Sequence, residues 1–174
     1  LKGTILFSAD LSGANLVGVN LINKDLSKAN LSRVDLSNKD LTGVNLIFSN
    51  LQEANLNGVD LRNMDLTGVN LRGVNLKDKD LAGTKLAFTN LTDANLKGVD
   101  LRDKDLTGAI LSGVDLSKFD LTGTKLKDTK KIVIKIKKPS VPNWPALTDL
   151  QKLHVTRYDL SGNIEYLSTK EGFL

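Results

Sequence analysis

Leucine occupies every fifth position of this 174-residue chain from Leu1 to Leu126, twenty-six times without an exception. A strict period of this kind is the sequence signature of a repeat architecture, in which each repeat packs against its neighbours. Five is the period of neither a strand nor a helix, so the chain must change direction within every repeat. The leucines therefore predict a solenoid whose interior receives one leucine from each block.

Each five-residue block consists of a short extended piece and a turn. An Asn or Asp separates the leucine from the residue two places before it, as in Ala14-Asn15-Leu16. This is the in–out–in alternation of an extended segment. A polar residue and often a glycine follow, as in Thr42-Gly43, and these residue types favour turns.

These blocks resemble the pentapeptide repeat family, whose consensus is A(D/N)LXX. The resemblance covers residues 1–130 and implies an all-β fold, a right-handed quadrilateral parallel β-helix. At about 20 residues per coil it would have about 6.5 coils. Leucines 20 residues apart would then stack into a core ladder, formed on one face by Leu16, Leu36, Leu56, Leu76, Leu96 and Leu116.

One stack of outward positions is acidic. It holds Asn20 and then five aspartates, Asp40, Asp60, Asp80, Asp100 and Asp120. Carboxylates in file repel one another, but Arg62 and Arg102 follow two of them, and Lys39 and Lys79 directly precede two others. The column is either a self-neutralised face or an acidic stripe that binds a cation or a basic partner.

Two other features of the blocks concern asparagine and lysine. Outward asparagines are expected to form structural amide ladders, one of Asn30, Asn50, Asn70 and Asn90 and another of Asn55, Asn75 and Asn95.

Lysine occupies the inward position, which the family pattern keeps small, at Lys24, Lys39, Lys79 and Lys104. Because a buried unpaired ammonium is costly, we expect these heads to reach water or a carboxylate. A locally widened coil is the alternative.

Phe48 and Phe88 occupy equivalent turn positions, two coils apart on the same side. A cluster of exposed apolar side chains there would indicate an interface. Packing of the two rings at a corner of the core is the alternative.

The five-residue period fails after Lys130, where we place the boundary between the β-helix (1–130) and a small C-terminal capping segment (131–174). We predict a strand over 131–138, a short helix over 146–154 and two short strands around Ser161-Gly162-Asn163. The segment would cover the open edge of the last coil, with Trp144 as the plug, since a bare edge invites pairing. An uncapped first coil would allow a homodimer through that solenoid end.

Composition argues against catalysis and against nucleic-acid or membrane binding. The chain has no cysteine and one histidine, His154, and its glycines belong to the repeat, so we expect no active site, metal or cofactor. No apolar run approaches the roughly 20 residues of a membrane span. Lysines after residue 129 could attract phosphate, but without a reader motif they better fit a guarded edge strand.

We therefore expect a non-enzymatic structural or protein-interaction module with an unidentified protein partner, in the cytoplasm of a bacterium. The resemblance implies two alternatives. Some family members mimic DNA, bind DNA gyrase and confer fluoroquinolone resistance, and others are β-helical domains of larger secreted bacterial effectors. DNA mimics are expected to be acidic, whereas residues 1–130 carry 17 basic and 16 acidic side chains.

Overall fold

The computed structural model describes residues 5–130 throughout, and the backbone alone of 154–158 and 164–168. Residues 5–130 wind into a parallel β-helix with a continuous leucine core. The six leucines of the core ladder are buried, with Leu16 the most exposed at 7%. Between the leucines, small and large inward residues alternate along the stack, as at Val34, Ala54 and Val74, which fills a narrow interior at high packing density.

A four-residue turn follows every leucine. The N–H of the third residue after the leucine donates to the leucine carbonyl, as from Val34 to Leu31 at 3.2 Å. The Asn or Asp before the leucine accepts the N–H of the residue after it, as Asp40 Oδ1 does from Thr42 N at 2.9 Å. Asn and Asp are suited to this position because their short side chains bind the backbone two residues on.

Successive coils are joined by backbone hydrogen bonds between residues about 20 apart. On one face, Asn50 N donates to Ala29 O at 2.9 Å and Leu31 N donates to Asn50 O at 2.7 Å. Parallel bridges continue without interruption up this face through Asp10, Asn30, Asn50, Asn70, Asn90, Ile110 and Lys130. The predicted amide ladder is present here, since Asn50 and Asn70 each donate Nδ2–H to the Oδ1 of the asparagine one coil below.

The corners of the coil show an alternation that the core does not explain. The second residue after the leucine has a positive φ in every described block except that of Leu116. Along much of each corner, glycine alternates at this position with Asn, Asp or another side chain. A Cβ at Gly58 would lie 2.0 Å from Asn38 Oδ1, and one at Gly98 would lie 2.0 Å from Asp78 Oδ1. Where a glycine follows in the next coil, the large corner residue therefore occupies the space that a Cβ of that glycine would need, which gives these corners a two-coil period.

Among the described residues, regular secondary structure occurs near the end of 5–130 and in the segments 154–158 and 164–168. A 3₁₀ helix spans Leu116–Lys118, and Asp115 caps it by accepting the N–H of Ser117. Strands β1 (His154–Tyr158) and β2 (Ile164–Ser168) pair antiparallel on either side of Ser161-Gly162-Asn163, with register shifts between residues 155 and 158. His154, which the sequence placed at the end of a helix, begins β1 instead.

The remaining predictions for the tail fall on residues that the structure does not describe. These are the strand over 131–138, the helix over 146–153 and the plug formed by Trp144. The boundary at residue 130 therefore remains a prediction.

The corner arrangement can be tested with two glycine substitutions. Gly18 and Gly58 lie in the same corner stack with the same φ of +70°, but a Cβ at Gly18 meets nothing within 4 Å. Gly18→Ala should therefore lower the free energy of unfolding only by the roughly 1 kcal/mol of a left-handed alanine. Gly58→Ala should cost about 0.5–1.5 kcal/mol more, because its methyl group forces the exposed Asn38 side chain out of its rotamer.

Urea unfolding followed by circular dichroism measures both losses. Equal losses at Gly18 and Gly58 would show that the corner side chain does not restrict the glycine above it.

Candidate functional site

The acidic stack forms one face of the β-helix, and we call it the aspartate face. It consists of Asp40, Asp60, Asp80, Asp100 and Asp120, all of them exposed. Each aspartate accepts the N–H of the residue two positions on, at 2.9 to 3.0 Å. The Oδ1 atom of each aspartate thus stabilises its own turn, and Oδ2 takes no part in that hydrogen bond.

Within residues 5–130, no parallel backbone bridge joins two members of the aspartate face. We call the face that carries Asn30, Asn50, Asn70 and Asn90 the asparagine face. There, the carbonyl of each inward residue accepts an N–H from the coil above. On the aspartate face, side chains bind these carbonyls instead: Lys39 Nζ donates to Val19 O at 3.1 Å, and Lys79 Nζ donates to Val59 O at 2.7 Å. The coils are therefore not joined along this face as they are on the asparagine face.

The heads of three of the four inward lysines do not go where the sequence predicted. Lys39 and Lys79 bind backbone carbonyls, and Lys104 Nζ likewise donates to Leu81 O at 2.7 Å. Thr84 and Thr124 bind the equivalent leucine carbonyls in the coils below and above. The prediction of water or a carboxylate was wrong because it overlooked carbonyls that lack a backbone donor. Burial lowers the pKa of Lys79, and the nearby Asp60 carboxylate opposes that shift.

Two of the five aspartates carry a bidentate arginine. Arg62 Nε and Nη2 donate to the Asp60 carboxylate, with a shortest distance of 2.6 Å. Arg102 and Asp100 repeat this arrangement 40 residues later, at 2.5 Å. The face thus alternates between aspartates with an arginine partner and aspartates without one. Four cations lower the pKa of its carboxyl groups: Arg62 and Lys79 at Asp60, and Arg102 and Lys104 at Asp100.

Hydrogen bonding holds most of these carboxyl groups in the ionised form. The Arg62 guanidinium and backbone N–H lower the pKa of Asp60 to about 2, and Arg102 does the same for Asp100. At Asp40 and Asp120 the pKa is lowered chiefly by the hydroxyl of the threonine two residues on. The face therefore keeps its alternating charge at neutral pH.

Clefts open on the aspartate face between neighbouring coils. One of about 570 Å³ is lined by Lys39, Asp40, Asp60 and Arg62, among others. An equivalent cleft of about 360 Å³ lies two coils higher, beside Lys79 and Arg102. A third cleft, of about 750 Å³, adjoins the 3₁₀ helix and is lined by charged side chains and by apolar ones that include Val99, Val114 and Phe119.

A second charged column was missed by the sequence analysis. Lys85 Nζ lies 2.9 Å from Asp65 Oδ2, and Lys125 Nζ lies 3.6 Å from Asp105 Oδ2. The signal was available, because Lys85 and Lys125 replace the usual Asn or Asp exactly one coil after an aspartate. The lysines are largely exposed and the aspartates partly so, and we expect only a small contribution to stability from each pair.

Phe48 and Phe88 are more than half exposed, at 57% and 58%. Each ring lies over the glycine of the next coil, Phe48 over Gly68 and Phe88 over Gly108. The rings therefore cover the corner of the solenoid and are not part of its core.

Among the residues that the structure describes, no group of three His, Cys, Asp or Glu side chains could hold a metal ion. In the same part of the chain, no helix is both long and apolar enough to cross a bilayer.

The geometry defines a repeat solenoid with five-residue blocks, and comparison with known families identifies it. Models of pentapeptide repeats match in eight copies, over residues 1–23, 25–63, 40–78, 65–103 and 89–128. These matches cover well over half of the sequence. The chain belongs to the pentapeptide repeat family, and its fold is the right-handed quadrilateral β-helix of that family.

Solved structures of the same family are similar to this chain. QnrB1, a plasmid-mediated fluoroquinolone resistance protein, is 19% identical with a TM-score of 0.42, over 68% of this chain and 77% of that one. HetL, involved in heterocyst differentiation regulation in the cyanobacterium Nostoc sp. strain PCC 7120, is 30% identical with a TM-score of 0.26, over 73% and 62%. Rfr23 from the cyanobacterium Cyanothece 51142 is 35% identical with a TM-score of 0.23, over 64% and 63%.

The matched region therefore spans less than two thirds of the length of HetL and Rfr23. A comparison with curated protein sequences finds no match.

The arginine pairs on the aspartate face predict a specific acid sensitivity. Because the folded pKa of about 2 at Asp60 and Asp100 lies below the unfolded value of about 3.9, the unfolded chain binds more protons between these pH values. The stabilisation is present above about pH 4 and is lost as the pH falls through about 2. We expect the melting temperature to fall over this range, and to fall less steeply in Asp60→Asn/Asp100→Asn.

Melting curves between pH 2 and 7 test this. Arg62→Gln/Arg102→Gln keeps both carboxylates but removes their strongest partners, so it should weaken the same pH dependence. An unchanged dependence in both double variants would show that the arginine pairs do not set it.

Proposed function

We propose that this protein is a non-enzymatic protein-interaction module and that its aspartate face binds the partner. The observation that supports this is the recessed shape of that face. Backbone bridges run the whole length of the asparagine face, whereas the aspartate face has no bridges between its aspartates and is cut by clefts. A rigid surface with recesses offers a partner more contact area than a flat ladder does.

The charges of the face suit a protein partner that carries both signs. The side chains of Arg62 and Arg102 are 55% and 57% exposed, so they remain accessible while paired. Asp40, Asp80 and Asp120 alternate with these pairs along the rod. Alternating charge favours a partner whose own charges alternate, and complementarity of this kind mainly sets specificity and association rate.

A DNA mimic that binds gyrase is the second candidate. The column of five exposed carboxylates on the aspartate face favours it. The resemblance to QnrB1 shows the fold alone at 19% identity. Four cations lie among these five carboxylates, so the face does not present the unbroken negative charge of a nucleic-acid backbone. We therefore rank this candidate second.

A β-helical domain within a larger secreted effector is the third candidate, and the same interaction surface would serve it. For the chain acting alone we favour the bacterial cytoplasm as the setting, and a homodimer through a solenoid end remains part of the proposal. We include no metal, cofactor or direct reading of nucleic acid in the proposed function.

The interaction proposal predicts the effect of neutralising the aspartate face. Asp60→Asn/Asp80→Asn/Asp100→Asn keeps the turn-stabilising side-chain oxygen at all three positions but removes three charges. We expect proteins captured from a bacterial lysate by the native chain to be lost with this variant, as measured by quantitative mass spectrometry.

The matched control is Asp25→Asn/Asp35→Asn/Asp105→Asn, which makes the same charge change at equivalent positions of other stacks. It should retain the captured proteins. Retention of all partners by both triple variants would overturn the assignment of the aspartate face.

A gyrase supercoiling assay, with and without a fluoroquinolone, separates the first two candidates. We expect no inhibition and no protection from the drug at micromolar protein. Inhibition that disappears in Asp60→Asn/Asp80→Asn/Asp100→Asn but persists in the control triple variant would instead establish the DNA mimic.

A further inference from the structure

One asparagine of the β-helix precedes a glycine. Asn57-Gly58 is the single Asn-Gly pair of the sequence, and every other asparagine within residues 5–130 is followed by leucine, lysine or methionine. Both members of the pair are exposed. They are the central residues of a turn in which Val59 N donates to Leu56 O at 3.1 Å and Gly58 has a φ of +70°. These features are those of a type II turn, which requires a positive φ at its third residue.

The amide nitrogen of Gly58 has no hydrogen-bond partner among the described residues. The carbonyl of the same peptide group, that of Asn57, accepts Asn38 N of the coil below at 2.8 Å. This corner borders the aspartate face, where no backbone bridge joins two aspartates within residues 5–130, and Gly58 lines the cleft beside Asp40 and Asp60. The Asn57–Gly58 peptide group is therefore bonded to the coil below but not to the coil above.

The turn that contains Gly73 provides a matched contrast. Gly73 has a φ of +69°, and the carbonyl before it, that of Arg72, accepts Glu53 N at 2.9 Å. Gly73 N, however, donates to Thr92 O of the coil above at 2.9 Å. The backbone hydrogen bonds of the two turns therefore differ at the glycine nitrogen.

We propose that Asn57 is a site of spontaneous deamidation in the folded protein. Asparagine is a thermolabile residue, and glycine has no Cβ to crowd the nitrogen that follows the asparagine. The Gly58 nitrogen attacks Asn57 Cγ, so that an N–Cγ bond forms and the Cγ–Nδ2 bond breaks. Nδ2 leaves as ammonia with the proton of the Gly58 nitrogen. Water then opens the five-membered succinimide at either carbonyl and leaves aspartate or isoaspartate at position 57.

The turn restrains this reaction, and the missing hydrogen bond makes the restraint weak. In a type II turn the ψ of the second residue is about +120°, which directs the Gly58 nitrogen away from the Asn57 side chain. Attack therefore requires rotation about the Asn57 Cα–C bond. Among bonds between described coils, this rotation breaks that of Asn57 O with Asn38 N, whereas the same rotation before Gly73 would break one bond below and one above. Each bond that must open makes the reactive conformation rarer.

Both products change this corner of the rod. Aspartate adds a negative charge at the border of the aspartate face. Isoaspartate directs the backbone through the former side chain and lengthens it by one CH₂ group, which displaces the Asn57 carbonyl from Asn38 N. The protein therefore accumulates an altered edge of its proposed interaction surface with time, although the reaction itself does not depend on that proposed function.

Peptide mapping by mass spectrometry measures the conversion in the intact, folded chain, and chromatography separates the two products. During incubation at mildly alkaline pH, we expect Asn57 to convert faster than Asn55 and Asn63, which are followed by Leu56 and Met64. The rate should increase with pH, because the attacking nitrogen must lose its proton.

Two single variants place the same Leu-Asn-Gly-Val sequence in other turns. Lys97→Asn places it before Gly98, whose N–H also has no acceptor among the described residues, and this site should convert at a rate similar to that of Asn57. Arg72→Asn places it before Gly73 and should convert roughly 2- to 10-fold more slowly, because one more hydrogen bond must open. In urea the three sites should convert at one rate, since the fold no longer distinguishes them.

Two results would overturn the proposal, and neither depends on a binding partner. If Asn57 stays intact in the folded protein while the chain in urea converts, Asn57 is not a deamidation site of the native state. If Arg72→Asn converts in the folded protein as fast as Asn57 does, the missing hydrogen bond at Gly58 does not select the site.

Discussion

The stacking of one leucine per five residues is the interaction on which the rest of this structure depends. Each coil buries its leucines only against the coils above and below, so the stability of the rod is the sum of neighbouring contacts. This packing holds residues 20 apart in register, and every column on the surface follows from that register. The amide ladder, the lysine–aspartate column and the aspartate face are therefore consequences of the core.

The turns decide how each side of the rod can be used. An Asn or Asp before the leucine binds the backbone of its own turn. At several corners, the side chain of one coil occupies the space that a Cβ would need on the glycine of the next coil. These local requirements fix most outward positions for structural reasons. Lys79 at an inward position and Phe48 at a corner depart from these local requirements, so the fold does not explain their presence.

The aspartate face shows how such a departure changes a surface. Lys39 and Lys79 bind carbonyls that a backbone N–H would otherwise bind, and the bridges between coils are missing along this face. The result is a recessed surface of alternating charge on the side of the coil opposite a closed and largely neutral asparagine ladder. This contrast is the basis for assigning the partner to the aspartate face.

The sequence by itself determined the repeat and the leucine core, because a strict period carries its own register. The resemblance to the pentapeptide repeat family implied the four-sided coil, and with it the membership of the aspartate column. It also placed the rings of Phe48 and Phe88 on one side of the rod, without deciding between corner packing and exposure. Only the tertiary structure decided the lysine partners, because the free carbonyls at Val19 and Val59 belong to another coil. The pairing of Lys85 with Asp65 and the overlap of Asn38 with Gly58 were decided in the same way, since each joins residues 20 apart whose contact depends on side-chain direction.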